Sequence, residues 1–296
     1  MAHNFESKAA KKLVEAFSHE SFTEGVFTNQ YDWEGVDTIR LRSVVSYPLT
    51  QYNWQDVTGA SRFGPLIEVE DEIQPLTITQ DYAYNLAIDK RNNTSTLMEK
   101  AAGSIASRQI RERLIPQEDI YRLNAIATGN GVTGFGGAGG GTIKNNVSLT
   151  KTNALATIFG HGAEMSNLLV PKKNRVLFIG ETASLNVKLA DQIVGTGATV
   201  QNMAGQIIKS GELGTFNQMH IVEVPDNYLP QHCLYMIVLK DAVVSPTKIK
   251  TMRILNEHPD IDGAVAQGRF LYDCFVIAKR ANGVLVAYDN SSRDSP

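Results

Sequence analysis

The alternation of apolar and polar residues is clearest in two stretches of the first half of the chain. In TIRLRSVVSYPL, Thr38 to Leu49, Ile39 and Leu41 alternate with Arg40 and Arg42. In PLTITQDYAYNLAID, Leu76, Ile78, Tyr82, Tyr84, Leu86 and Ile88 share one face, and Thr77, Thr79, Asp81, Ala83, Asn85 and Asp89 share the other. A period of two predicts two long strands, each with one wet face. Between them, Thr50 to Pro65 is rich in turn residues yet carries Tyr52, Trp54 and Phe63. The two strands therefore read as one long β-hairpin with a wide tip. A hairpin of that length is marginal unless something covers it, and another subunit is the expected cover.

From Asn93 the spacing turns helical. Asn93, Thr94 and Ser95 offer N-caps, and Leu97, Ala101, Ile105 and Ala106 follow at helical intervals. The helix carries Arg108, Arg111 and Arg113 into RERLIPQEDIYRLNAIA, where Pro116 must kink or restart it because proline lacks a backbone donor. Ahead of the hairpin, residues 1–25 read as a polar arm with one short helical signal, Leu13, Ala16 and Phe17. The second half alternates helix and strand. TNALATIFGHGAEMSNLL predicts a helix with Leu155, Ile158, Phe159, Gly162 and Leu169 on one face, and ETASLNVKLADQI another through Leu185, Leu189 and Ile193. RVLFIG, MHIVEVP and CLYMIVLK read as strands, and FLYDCFVIAK with GVLVAYD as a closing hairpin around RANG. The fold class is α+β.

Between these halves lies GNGVTGFGGAGGG, residues 129–141, in which eight of thirteen residues are glycine. It matches G-x-G-x-x-G twice, from Gly129 and from Gly134. A dinucleotide fingerprint needs a strand before the glycines and a helix opening on them, since the helix N-terminus supplies the phosphate site. Here a helix precedes and no helix starts until about Thr152; no Gly-Lys-Thr/Ser closes the run, so it is not a P-loop. The expectation is a flexible strap that contributes reach rather than contacts, so that shortening it leaves folding intact.

Composition narrows the field. At 296 residues, 43% hydrophobic and 20% charged, the chain suits one large domain or two ordinary ones. A net charge of -3 excludes a strongly basic nucleic-acid binder, so any contact with DNA must come from local patches. The N-terminus lacks the apolar core of a signal peptide, and apolar runs such as LYMIVL fall far short of the roughly 18 residues that span a bilayer. A soluble protein with no membrane partner is expected.

Candidate chemistry is sparse. His161 and Glu164 stand at i, i+3 and could share a metal, but no third ligand accompanies them; His220, His232 and His258 are scattered. NEHPDIDG reads as a loop. Cys233 beside His232 has no orienting third group, and Cys233 and Cys274 read as buried free thiols of a reducing compartment. No catalytic, metal or cofactor residues are assigned. Glu68, Glu70 and Glu72 differ: extended, they point to one face and repel unless cations answer them. They are either a solvated edge or partners for Arg40, Arg42 and Arg62, across the hairpin or across a subunit interface.

The succession of parts resembles a tailed-phage major capsid protein of the Hong Kong 97 type. The closest passages are LTITQDYAYNLAIDKRNN, like the return strand of the extended loop; RERLIPQEDIYRLNAIA, like the spine helix; and DIDGAVAQGRFLYDCFVIAKRANGVLVAYD, like the C-terminal hairpin of the peripheral domain. The resemblance implies an N-terminal arm and first strand at 1–36, an extended loop at 37–89, and a spine helix at 90–128. It then implies the glycine strap at 129–145, an axial domain at 146–241 and peripheral return strands at 242–296. Interface residues on the loop would be Arg40, Arg42, Tyr52, Trp54, Arg62, Phe63, Glu68, Glu70 and Glu72. Hinge residues would be Gly134, Gly136, Gly137, Gly139, Gly140 and Gly141.

By the same resemblance the chain is no enzyme and needs no cofactor. It would self-assemble into hexamers and pentamers of an icosahedral head around double-stranded DNA, in the bacterial cytoplasm, with a portal and with scaffolding or decoration proteins as partners. Many members carry a long scaffolding segment before the arm; this sequence leaves no room for one, which implies a separate scaffold or unaided assembly. Some capsids of this type join a loop lysine to an asparagine of the next subunit. Between Asp37 and Asp89 there is no lysine. Two readings remain beside this one: an encapsulin-like compartment around protein cargo, and a nucleotide enzyme using the glycine stretch.

Overall fold

A computed structural model describes residues 20–27, 38–55, 62–91, 102–189, 215–216, 218–256, 259 and 261–289. The helical signal at Leu13, Ala16 and Phe17, the caps at Asn93, Thr94 and Ser95, and Leu97, Ala101, Ile193 and His258 lie outside them.

Strands β1 (Thr38–Val44) and β2 (Asp71–Thr77) form a two-stranded antiparallel sheet, with Ile39 opposite Leu76 and Arg42 opposite Ile73. The long alternating stretch does not continue as one strand. It breaks at Ile78 and Thr79, and β3 (Gln80–Asp89) enters a different sheet. The cause is a tertiary contact: the Thr79 N–H that would extend a ladder donates instead to the buried Asp273 carboxylate at 2.8 Å.

The spine is helical from residue 102 to residue 128, and Pro116 restarts it rather than kinking it. Helix α1 (Ala102–Gln109) runs into a π-helical turn, Ile110–Leu114, and then α2 (Ile115–Thr128). The Ile115 N–H reaches back five residues to the Ile110 carbonyl. That wider turn makes room for the proline ring at the start of α2, where a missing donor costs least.

Six strands form the central sheet, in the order β4 (Thr142–Lys144), β13 (Val284–Tyr288), β8 (Cys233–Leu239), β5 (Arg175–Gly180), β7 (Met219–Val224) and β6 (Thr215–Phe216). β5 and β13 are buried along their whole length, which is why RVLFIG and VLVAY read as unbroken apolar runs. Alternate residues feed two cores. Val176 and Phe178 face α2 with Leu123 and Ile126; Leu177 and Ile179 face α3 (Ala154–Asn167) and α4 (Glu181–Lys188) with Leu155, Ile158, Met165 and Val187.

Two expected faces need correction. Phe159 is exposed, and Leu169 is 91% exposed because it follows α3 at a φ of 62°, out of helical register. In α4 the leucines point outward, Leu185 at 55%, and the small residues Ala183 and Ser184 are buried with Val187. Burial selects the small face because the helix lies close on the sheet.

The closing hairpin is also corrected. β11 (Gly263–Tyr272) is the middle strand between β10 (Thr247–Leu255) and β3. β12 (Phe275–Val276) pairs with β9 (Val243–Val244), and RANG lies in a 3₁₀ turn, Ala278–Gly283, that delivers the chain to β13. β11 tolerates one wet face, with Arg269 exposed, whereas VLVAY requires cover on both and so enters the central sheet. The last strand thus crosses the expected boundary at residue 242 and shares the sheet of residues 175–239. Leu114 of the π turn packs under β11 with Phe270, Tyr272 and Tyr84.

Candidate interaction surface of the extended loop

Beyond the β1–β2 ladder the two limbs stay together. The Val45 N–H donates to the Glu70 carbonyl at 3.2 Å, the Asn53 N–H to the Arg62 carbonyl at 3.0 Å, and the Thr50 hydroxyl to the Phe63 carbonyl at 2.9 Å. Near the tip, the Tyr52 and Phe63 rings meet edge to face with centroids 4.9 Å apart. Trp54 remains 70% exposed and Phe63 78%. The sequence singled out these three aromatics, and the fold brings two of them into contact. It missed Leu49, Leu66, Ile67 and Val69, all exposed on the same loop. The signal was present in LIEVE, where apolar residues alternate with acids. Exposed apolar residues gathered on one element mark a candidate interaction surface.

Pairing of Glu72 with arginines across the hairpin does not occur. Register explains why: Ser43 lies opposite Glu72 and Arg42 opposite Ile73, so the two charges point to opposite faces of the ribbon. Glu72 instead meets Lys279 at 2.5 Å. Among the described residues, Arg40, Arg42, Glu68 and Glu70 have no ion-pair partner.

The loop's root is anchored by two polar hubs. The Gln74 side chain donates to the carbonyls of Gly131 and Val276 at 2.7 and 2.9 Å and accepts the Ala278 N–H at 2.9 Å. Asp273 is fully buried and accepts from the Thr79 N–H and hydroxyl, the Tyr121 hydroxyl at 2.6 Å, Asn130 and the Cys274 N–H. Burial, and this bond to Asp273, push the Tyr121 hydroxyl up, so it stays protonated and donates. A third hub holds the preceding segment: Asp119 accepts from the Ser21 hydroxyl, the Phe22 N–H and the Thr23 hydroxyl, at 2.7, 2.9 and 2.5 Å.

The glycine stretch is a folded element, which corrects the expectation of a strap. Gly129 ends α2 at a φ of 68°, and its N–H closes on the Ala125 and Ile126 carbonyls. Gly136 donates to the Gly140 carbonyl, Gly137 and Gly139 to the Gly134 carbonyl, and Gly140 to the Gly137 carbonyl. Phe135 packs on the core, and its ring covers both Gly129 and Gly141: a Cβ on either would come within 2.1 or 2.3 Å of it. Gly129 and Gly141 are there both for this close approach and for the positive φ each adopts.

The remaining candidates are occupied by the fold. His161 Nδ1 lies 2.5 Å from the Tyr235 hydroxyl, and Glu164 pairs with Lys144 at 2.7 Å. Cys233 and Cys274 are free thiols. Among the described residues no three His, Cys, Asp or Glu side chains gather as a metal site, and no helix is long and apolar enough to cross a membrane.

No protein-family profile and no curated protein matches the chain. Solved structures do match, and they define the fold as that of phage capsid chains. A chain of Mycobacterium phage Che8 is similar over 96% of this chain and 97% of its own, with a TM-score of 0.71 at 16% identity. The capsid of cyanophage P-SCSP1u gives 0.70 at 16% identity, over 97% and 94% of the two chains. The mature capsid of bacteriophage PhiM1 gives 0.70 at 10% identity, over 100% and 93%. A virus-like particle from Pyrococcus furiosus is similar to a lesser degree, with a TM-score of 0.51 at 11% identity, over 85% and 86%.

Proposed function

We propose that the chain is the major capsid protein of a tailed phage, a structural subunit that assembles into hexamers and pentamers of an icosahedral head around double-stranded DNA. One observation carries this reading. A chain with the phage-capsid fold over nearly its whole length projects a loop whose apolar residues have no cover of their own. Moving a side chain such as Trp54 or Phe63 from water into a neighbour contributes about 1.5–3 kcal/mol. Several such side chains per loop, repeated around a ring, are enough to hold capsomers together.

In this reading the loop runs from β1 to β2 and lies over a neighbouring subunit, and residues 102–128 are the spine. The central sheet with α3 and α4 faces the capsomer axis, and the β10-β11-β3 sheet belongs to the periphery. A portal and separate scaffolding or decoration proteins complete the partners. The test is electron microscopy and sedimentation of the purified protein. Closed shells or capsomer rings are expected, and a strictly monomeric profile across salt and concentration overturns the reading.

The virus-like particle from Pyrococcus furiosus favours a second reading, a compartment around protein cargo. The two separate on content: particles purified from the producing cell hold nuclease-protected DNA in the first case and a second polypeptide in the other. The nucleotide-enzyme reading loses its support, because the backbone amides of Gly136, Gly137, Gly139 and Gly140 are bonded within the turn itself.

A further inference from the structure

Beside the loop's root, a cleft of about 560 Å³ runs between β1 and the 3₁₀ turn Ala278–Gly283. One wall is residues 39–43 of β1. Glu72 and Gln74 of β2 join that wall, and residues from both faces of β1 line it, so the cleft spans the ribbon's face toward the turn and reaches the outer edge of β1. Among the described residues that edge is unpaired, since β1 pairs with β2 alone. An open edge offers backbone donors and acceptors to any extended chain laid beside it.

The cleft is basic. Arg40, Arg42, Lys279 and Arg280 line it against one carboxylate, Glu72. Glu72 is taken by Lys279, and Arg280 donates to the Asp241 carbonyl at 2.8 Å. Arg40 and Arg42 are left without a carboxylate among the described residues.

The same chain carries the complement. Residues 66–70, LIEVE, lie outside any strand and are exposed throughout; laid out as a strand, they would turn Leu66, Glu68 and Glu70 to one face and Ile67 and Val69 to the other. They cannot fill their own cleft. Their limb already sits on the inner side of β1, where the Val45 N–H meets the Glu70 carbonyl. We propose that residues 66–70 of one copy seat in this cleft of a neighbouring copy, as a strand added along β1, with Glu68 and Glu70 answered by Arg40 and Arg42. This rests on the shell reading only for the presence of a neighbour. The contact sets register and partner, which charge complementarity does better than it supplies affinity.

Charge exchange tests it. One variant carries Glu68→Arg and Glu70→Arg, a second Arg40→Glu and Arg42→Glu, and a third all four changes; circular dichroism checks that each is folded. In sedimentation, wild type is expected as shells and each pair variant as unassembled chain. An equimolar mixture of the two pair variants should regain six-membered rings, in which the two can alternate, and the fourfold variant alone should regain shells. Pair variants that assemble like wild type overturn the proposal. So does recovery in the fourfold variant without recovery in the mixture, which places the pairing inside one chain. Normal shells of the Arg40→Glu, Arg42→Glu variant that hold less DNA make the cleft a nucleic-acid site and also overturn it. Wild-type protein that never assembles removes the shell reading itself.

Discussion

Cys233 and Cys274 show how far burial alone sets chemistry. Burial pushes both thiols up to about 12. At pH 8 such a thiol is ionised in about one molecule in ten thousand, and the thiolate is the reactive form. A chromogenic disulfide reagent should therefore titrate neither thiol in native protein during the minutes that complete free cysteine, and two per chain in denaturant. Rapid labelling of native Cys233, the less buried of the two, would show that its strand opens. His161 carries a sign that can be worked out. Burial lowers its pKa from 6.5, with Lys144 helping and Glu164 opposing. The unfolded chain then binds a proton more readily than the folded one. Stability is thus fully present above about pH 6.5 and declines as pH falls from there through the lowered folded value. A melting series over that window should slope downward toward acid, and His161→Gln should flatten it; an unchanged slope assigns the proton uptake elsewhere.

The glycine turn makes the sharpest demand at the scale of an element. A Cβ on Gly139 would lie 2.1 Å from the Thr133 carbonyl oxygen, whereas one on Gly137 meets nothing closer than 3.6 Å. Gly139→Ala should cost about 1–3 kcal/mol through overpacking, and Gly137→Ala should be close to neutral. Denaturant melts of the two variants compare them directly. A strap would tolerate both equally, and so would its shortening, which is now expected to destabilise the chain. Period two revealed β1 and β3, period 3.6 the spine, and unbroken apolar runs β5 and β8, because each pattern follows how many faces of the element meet a core. Register was not legible: nothing in LTITQ says that Thr79 surrenders its N–H to Asp273, nearly two hundred residues away. The turn was misread for a related reason. Glycine content reports conformational freedom in the unfolded chain, while the packing of Phe135 against Gly129 and Gly141 exists only once the fold is made.

For the whole molecule, the loop aromatics were legible as candidate interface residues, since Trp and Phe in a turn-rich segment have little local reason to be there. Their charged companions were legible as residues but not as pairs, because pairing depends on a strand offset of one. The chemistry available to an assembled shell follows from what the loop lacks. From Asp37 to Asp89 its basic residues are Arg40, Arg42 and Arg62, and guanidinium groups stay protonated and do not attack amides. In the proposed shell, cohesion between loop and neighbour is then expected to be noncovalent. Mature particles boiled in detergent should run as a single band at 32.4 kDa or a trimmed form of it. A ladder of multimers that survives reducing agent would mean a weld formed through some other lysine.

The place of β13 gives the molecule a clock. Residues 284–288 lie between β4 and β8, so the sheet's interior has a gap until that segment arrives. On a ribosome, β4 must wait while about 140 further residues are made, and contacts so distant along the chain form slowly. Until then β8 offers a bare hydrogen-bonding edge, and the core beneath it is open to water. A subunit cannot acquire its finished body before almost all of residues 1–288 have left the exit tunnel, however early its loop emerges.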